Sequence, residues 1–335
     1  MSTDAREAVN FDTIDEIDVG APRAAVLEAA LELDVFTTIG PRTLSLQEAA
    51  LAIGADPRAL AVLLDALCSF GLLEKSSAGY ELGAAAAAFL ARGSESFSGD
   101  VVLRMSAARR RLADVVRSGR AVDDLVARSS GDFWAEFTAH RLVTWAEEVE
   151  EELATWRELG VTAERCPGVR ILDVACGSGV RSFGLARDDP DARIVALDSA
   201  AVLEVAKKIA ARMGISERIA FRAGDVTTTD LGSGKFDVVL LSYLLYFFTP
   251  EDARRLLDRV RRALKPGGLV VVRAALADEE RRTAKDALLN AVDLLLWLPT
   301  SCVYTFAEYR DLLEKAGFAG IMRRGEEIVT AARPS

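Results

Sequence analysis

The chain has 335 residues, half of them apolar, with 41 basic against 51 acidic side chains and a net charge of -10. That length exceeds what one core usually holds, so at least two domains are expected. The acidic balance argues against a nucleic-acid partner, and apolar runs such as 238–248 are too short to span a bilayer.

The first twenty residues are polar and acidic, without a secretory pattern, and Cys68, Cys166, Cys176 and Cys302 form no C-x-x-C pair. Both features predict a cytoplasmic protein with reduced thiols. His140 is the single histidine, so no imidazole-based metal site is expected.

Residues 1–95 read as one domain. Periodicity predicts helices over 21–33, 46–53 and 58–70, and 71–82 reads as a hairpin wing. This is a winged helix-turn-helix pattern, yet 21–83 holds four basic residues (Arg23, Arg42, Arg58, Lys75) against eight acids (Glu28, Glu32, Asp34, Glu48, Asp56, Asp65, Glu74, Glu81). Without positive charge it lacks the counterion-release contribution that dominates DNA affinity. Residues 96–160 read as a helical linker, with an aromatic segment at 131–137 and a long helix over 141–156.

Residues 161–335 form the third segment, an α/β unit. Its start, VRILDVACGSGVRSFGLARDDPDARIVALD over 169–198, predicts a buried strand, a glycine turn, a helix near Val180 and a second strand ending in an acid. Gly177 and Gly179, flanking Ser178, remove side chains where a ligand approaches the backbone, and the helix start presents unpaired amides. Asp198, followed by Ser199, can accept from both ribose hydroxyls of an adenosine-bearing cofactor. A nicotinamide dinucleotide needs a third small residue where Ser182 stands, and its pyrophosphate would be repelled by Asp173. The ammonium of S-adenosylmethionine would be attracted there, so that cofactor is favoured.

Further strands are predicted over 219–222 and 235–241, and the segment 264–272 ends a helix and turns into a fifth strand. Gly224, Asp225 and Val226 follow the first, and Asp225 offers a carboxylate to the adenine amine. Leu241 and Ser242 end the second, and Pro266, Gly267 and Gly268 punctuate the entry to the last.

These segments, in this order, resemble the class I S-adenosylmethionine-dependent methyltransferases. With the acidic winged module and the FW pair at 133–134, the chain is similar to small-molecule O-methyltransferases of plant caffeate type and of bacterial polyketide pathways. The resemblance implies a Rossmann-like sheet, a dimerising N-terminal domain, a homodimer, and a pocket faced by Phe133, Trp134, Phe137, His140 and Trp145. Phe247, Trp297 and Tyr304 add rigid surfaces suited to a flat, mostly apolar metabolite.

The family's general base is absent. Its members carry a His after the strand equivalent to 238–241, where this chain has Tyr246, and Arg273 and Val303 occupy the positions of two acids that assist it. Tyrosine, with an ordinary pKa of about 10, is a poor base at neutral pH, but it can hold a hydrogen bond in a dry pocket. The Tyr is also similar to that of the bacteriochlorophyllide C-methyltransferase, so methylation at oxygen or at carbon is open. On the apolar helix predicted over 287–298, Asn290 and Asp293 are further catalytic candidates. Arg273 is expected either to pair with Asp293 or to attract an anionic substrate. Two alternatives stand beside methyl transfer: a non-methylating decarboxylase, hydroxylase or pericyclase on the same scaffold, and a winged-helix ligand-sensing regulator.

Overall fold

The computed structural model describes residues 11–122, 131–298 and 303–335; Cys302 lies outside them. Two compact units divide the chain, Met1–Ser106 and Ala107–Ser335.

The first unit runs α1 (Asp12–Asp18), α2 (Gly20–Glu32), α3 (Val35–Ile39), α4 (Leu46–Ile53), α5 (Pro57–Ser69), β1 (Leu73–Lys75), β2 (Tyr80–Leu82) and α6 (Ala84–Phe89). Local chemistry sets the boundaries. Ser45 and Glu48 make a capping box at α4, and Asp56 caps α5 with Pro57 in its first turn. The wing is the antiparallel β1–β2 pair, in register Leu73↔Leu82. Ala30, Phe36, Ile39, Leu64 and Leu67 are fully or almost fully buried at its centre. The helix α7 (Gly99–Arg109) crosses the division and α8 (Leu112–Ser118) follows.

The second unit continues with α9 (Gly131–Thr138), α10 (Arg141–Glu158), β3 (Arg170–Val174), α11 (Val180–Asp188), β4 (Arg193–Asp198), α12 (Ala200–Arg212), β5 (Ile219–Ala223) and β6 (Phe236–Ser242). After a 3-10 turn at Leu245–Phe247 come α13 (Pro250–Ala263), β7 (Leu264–Arg273), α14 (Lys285–Trp297), α15 (Phe306–Lys315), β8 (Ala319–Arg324) and β9 (Ile328–Ala332). Seven strands form one sheet in the order β5-β4-β3-β6-β7-β9-β8. The first five are parallel and β9 is antiparallel to both neighbours.

Apolar side chains of α13 and α15 cover one face of the sheet, and those of α10, α11 and α12 cover the other. Parallel strands buried on both faces are uniformly apolar for that reason, as Val238–Leu241 shows. Chain order reverses between β3 and β6, so the crevice at their C-terminal ends is where such sheets bind ligands. Five strands were expected from sequence; β8 and β9 are additional, and Pro266–Gly268 falls inside β7 rather than before it.

Candidate active site

The turn after β3 is built to bring backbone close to a ligand. Ala175, Gly177 and Gly179 all have positive φ, at 58°, 56° and 79°. A Cβ on Gly179 would also lie 2.2 Å from the Phe183 ring, so glycine is demanded twice there. Asp173, at the end of β3, is 1 % exposed. Its Oδ2 accepts from Ser182 Oγ at 2.6 Å, whereas Oδ1 is buried without a partner. Burial, reinforced by the nearby charge of Asp198, pushes its pKa up to about 7.

On the neighbouring strand end, Asp198 accepts from Gly177 N at 2.9 Å and Ser199 N at 2.7 Å. Burial raises its pKa against the opposing pull of those two amides. Ser199 caps α12, and Gly224 N donates to Asp198 O at 3.0 Å, so three strand-end segments are stitched together. Asp225 is exposed; its Oδ1 takes the Thr227 hydroxyl and amide, both at 2.7 Å, which lowers its pKa. Val226 offers its carbonyl to Arg259, Ser178 is buried, and Leu241 lies in the sheet core.

This set fits S-adenosylmethionine. The orphaned Asp173 oxygen suits an ammonium, the amides opening α11 suit a carboxylate, Asp198 suits the ribose, and Asp225 suits an adenine amine.

The second wall of the crevice follows β6. Tyr243 takes a left-handed conformation, φ 51°, and the chain then coils into the turn that carries Tyr246. Tyr246 is 6 % exposed, and the Asn290 side chain stands beside its hydroxyl. Burial, followed by the neighbouring Tyr243, drives its pKa well above the ordinary phenol value, so it is a protonated hydroxyl and not a base.

Beside it five rings gather. Trp134 meets Phe247 at 5.4 Å and Trp297 at 5.2 Å between centroids, while Phe133 meets Trp297 at 5.6 Å and Phe137 at 6.2 Å. Residues from α9, from the turn after β6 and from α14 thus form one aromatic wall.

A methyltransferase domain model matches residues 171–268, and an O-methyltransferase dimerisation domain model matches 20–92. The chain is an S-adenosylmethionine-dependent methyltransferase. This methyltransferase is 28 % identical over 308 residues to the 3-hydroxy-5-methyl-1-naphthoate 3-O-methyltransferase of Streptomyces sahachiroi, covering 90 % of this chain and 88 % of that one. It is 29 % identical over 177 residues to the L-tyrosine C(3)-methyltransferase of Streptomyces lavendulae, covering 52 % and 46 %. Among solved structures it resembles a Nostoc punctiforme protein assigned as an O-methyltransferase, with a TM-score of 0.74, 26 % identity, and 97 % and 100 % coverage. Nothing in these matches supports the non-methylating or regulatory alternatives. No helix among the described residues is long and apolar enough to cross a membrane.

Several expectations for individual residues of the methyltransferase need correction. Arg273 does not pair with Asp293. Arg109, from the end of α7, grips Asp293 through Nε and Nη2 at 2.9 and 2.6 Å, while Arg273 bonds Glu152 and Glu327. Tyr304 belongs to the core: it is 4 % exposed, donates to Phe248 O at 3.2 Å and packs on Tyr309. Trp145 packs against the core beneath α10 and makes no ring contact with the aromatic wall. His140 is half-buried with Nδ1 3.0 Å from Phe137 O, at the end of α9, and burial lowers its pKa.

Sequence reasoning missed Glu152, Arg181, Tyr243 and Glu327. Their signal was faint: Glu152, Arg181 and Glu327 stand among many other charged residues, and the partners lie far apart in the chain.

Proposed function

We propose that this methyltransferase moves a methyl group to the oxygen of a flat, largely apolar secondary metabolite whose hydroxyl is acidic enough to react without a histidine base. The observation that carries this reading is the Tyr246–Asn290 pair set beside the aromatic wall. The bound cofactor supplies an electrophilic methyl on a sulfonium. Asp173, Gly177, Ser178, Gly179, Asp198, Ser199, Gly224, Asp225, Val226, Leu241 and Ser242 make up its side of the crevice. Trp134, Phe133, Phe137, Phe247 and Trp297 hold the acceptor ring and exclude water, and Tyr246 donates to an anionic oxygen. Orientation of this kind can lower a barrier by about 7–11 kcal/mol at best, which suits an acceptor that is already nucleophilic. The naphthoate named for the S. sahachiroi relative is such a flat aromatic acid.

Methylation at carbon is the second reading. A neutral donor clamped on an enolate oxygen leaves the adjacent carbon as nucleophile, and the S. lavendulae relative is named for a carbon acceptor. We further propose a cytoplasmic homodimer in which residues 1–95 dimerise, 96–160 contribute to the acceptor pocket and 161–335 bind the cofactor; the dimerisation-domain match over 20–92 supports the first assignment. Incubation of candidate aromatic acceptors with methyl-labelled cofactor tests the reading. Label on oxygen supports it, label on carbon supports the second, and no transfer to any phenolic or enolic acceptor rejects both.

A further inference from the structure

Arg273, the last residue of β7, enters a closed ring of side chains. Glu152 of α10 accepts from Arg181 Nη1 at 2.7 Å and also from Arg273 Nη1. Arg273 of β7 donates through Nε to Glu327 Oε2 at 3.2 Å, and the same oxygen accepts the Tyr243 hydroxyl at 2.8 Å. The Arg181 guanidinium then lies 4.8 Å from the centre of the Tyr243 ring, which closes the circuit. Tyr243 N donates to Arg273 O at 2.7 Å, so its backbone is fastened to the residue whose guanidinium shares Glu327 with its hydroxyl.

The five residues come from five places: the first turn of the helix after the glycine loop, α10, β7, the turn between β8 and β9, and the end of β6. Glu152 and Arg181 have side chains only 12 % and 19 % exposed, so these charges are little screened. What the ring grips is a tyrosine in a backbone conformation that bulky residues avoid, φ 51°. Such a conformation persists only when its surroundings over-determine it. Three residues further on stands Tyr246, its ring 6.4 Å from that of Tyr243.

We propose that Tyr243 is the positioning residue of this site: the Arg181–Glu152–Arg273–Glu327 ring locks it in the left-handed conformation and thereby aims Tyr246 at the acceptor, tying that aim to the helix that follows the cofactor loop. The functional meaning rests on the role proposed for Tyr246, while the coupling itself does not.

The test labels the five tyrosines of the full-length protein with 13C at Cζ and assigns Tyr243 and Tyr246 with Y243F and Y246F. Y243F and Glu327→Gln both keep the Tyr243 ring, so ring-current effects on Tyr246 stay constant. The proposal expects the Tyr246 resonance to move or split in both variants, and its response to added S-adenosylhomocysteine to change, while the Tyr80 resonance stays fixed. A Tyr246 resonance and response identical to wild type in both variants would overturn it. If Y243F does not fold, Glu327→Gln, which keeps the whole tyrosine and removes only the acceptor of its hydroxyl, carries the expectation by itself. Because the readout is the Tyr246 resonance, a fully active Y246F enzyme would reject the reading of the acceptor site and leave the coupling separately decided.

Discussion

The Asn290 side chain of α14 stands beside the hydroxyl of Tyr246, in the turn after β6 at the edge of the aromatic wall. With its pKa driven far up by burial, Tyr246 is a protonated hydroxyl at neutral pH. Tyr246→Phe is therefore expected to slow methyl transfer by roughly 10- to 100-fold, about 1.4–2.8 kcal/mol, with cofactor affinity unchanged. Steady-state kinetics and calorimetry check this, and unchanged turnover would remove Tyr246 from the mechanism.

Asp173 gives the site a pH dependence with a definite sign. Its folded-state pKa, raised by burial to about 7, lies above the unfolded value, so its contribution to stability is present in acid and is lost as pH rises toward 7. A cationic amine beside it favours the carboxylate. Cofactor binding at pH 6 should then release roughly one proton per site, and affinity should rise toward pH 7 and level off. Calorimetry in two buffers of different ionisation enthalpy measures the proton count. Asp173→Asn should abolish most of it; the same count in the variant would place the titration elsewhere, with Asp198 the next acid to examine.

Arg109 and Asp293 form a two-point ion pair whose side chains are 55 % and 30 % exposed. Solvent screening keeps such pairs modest. A double-mutant cycle with Arg109→Ala and Asp293→Ala should give a coupling of about 0.5–1 kcal/mol in urea denaturation. A coupling near zero would mean that the pair adds no stability.

Gly179 combines positive φ with contact against Phe183. Gly179→Ala is expected to destabilise the fold by about 1–3 kcal/mol and to weaken cofactor binding as the turn shifts. Denaturant melts with and without S-adenosylhomocysteine separate the two effects, and a wild-type midpoint would contradict the strain.

The candidate cofactor crevice was legible in the sequence because its signal is local: Asp173, the glycine turn, Asp198 and Asp225 lie at or just past strand ends, and strand ends order themselves along the sheet. The aromatic wall was half legible. Phe133, Trp134, Phe137, Phe247 and Trp297 were visible as large apolar rings, yet the same argument admitted Tyr304, which the fold spends on the core. Ion pairing was the least legible. Asp293 had many arginines to choose from, and the one it uses lies 184 residues away. Strands β8 and β9 escaped because an antiparallel pair added beside a parallel sheet carries no glycine or acid signal at its ends.

We propose that S-adenosylmethionine occupies the crevice at the ends of β3, β4 and β5. Isothermal titration of the full-length protein with S-adenosylmethionine, beside Asp198→Ala, tests it most directly. One saturable site per chain, weakened at least tenfold in the variant, is predicted; no binding to the wild-type protein, or equal binding to both, would contradict it.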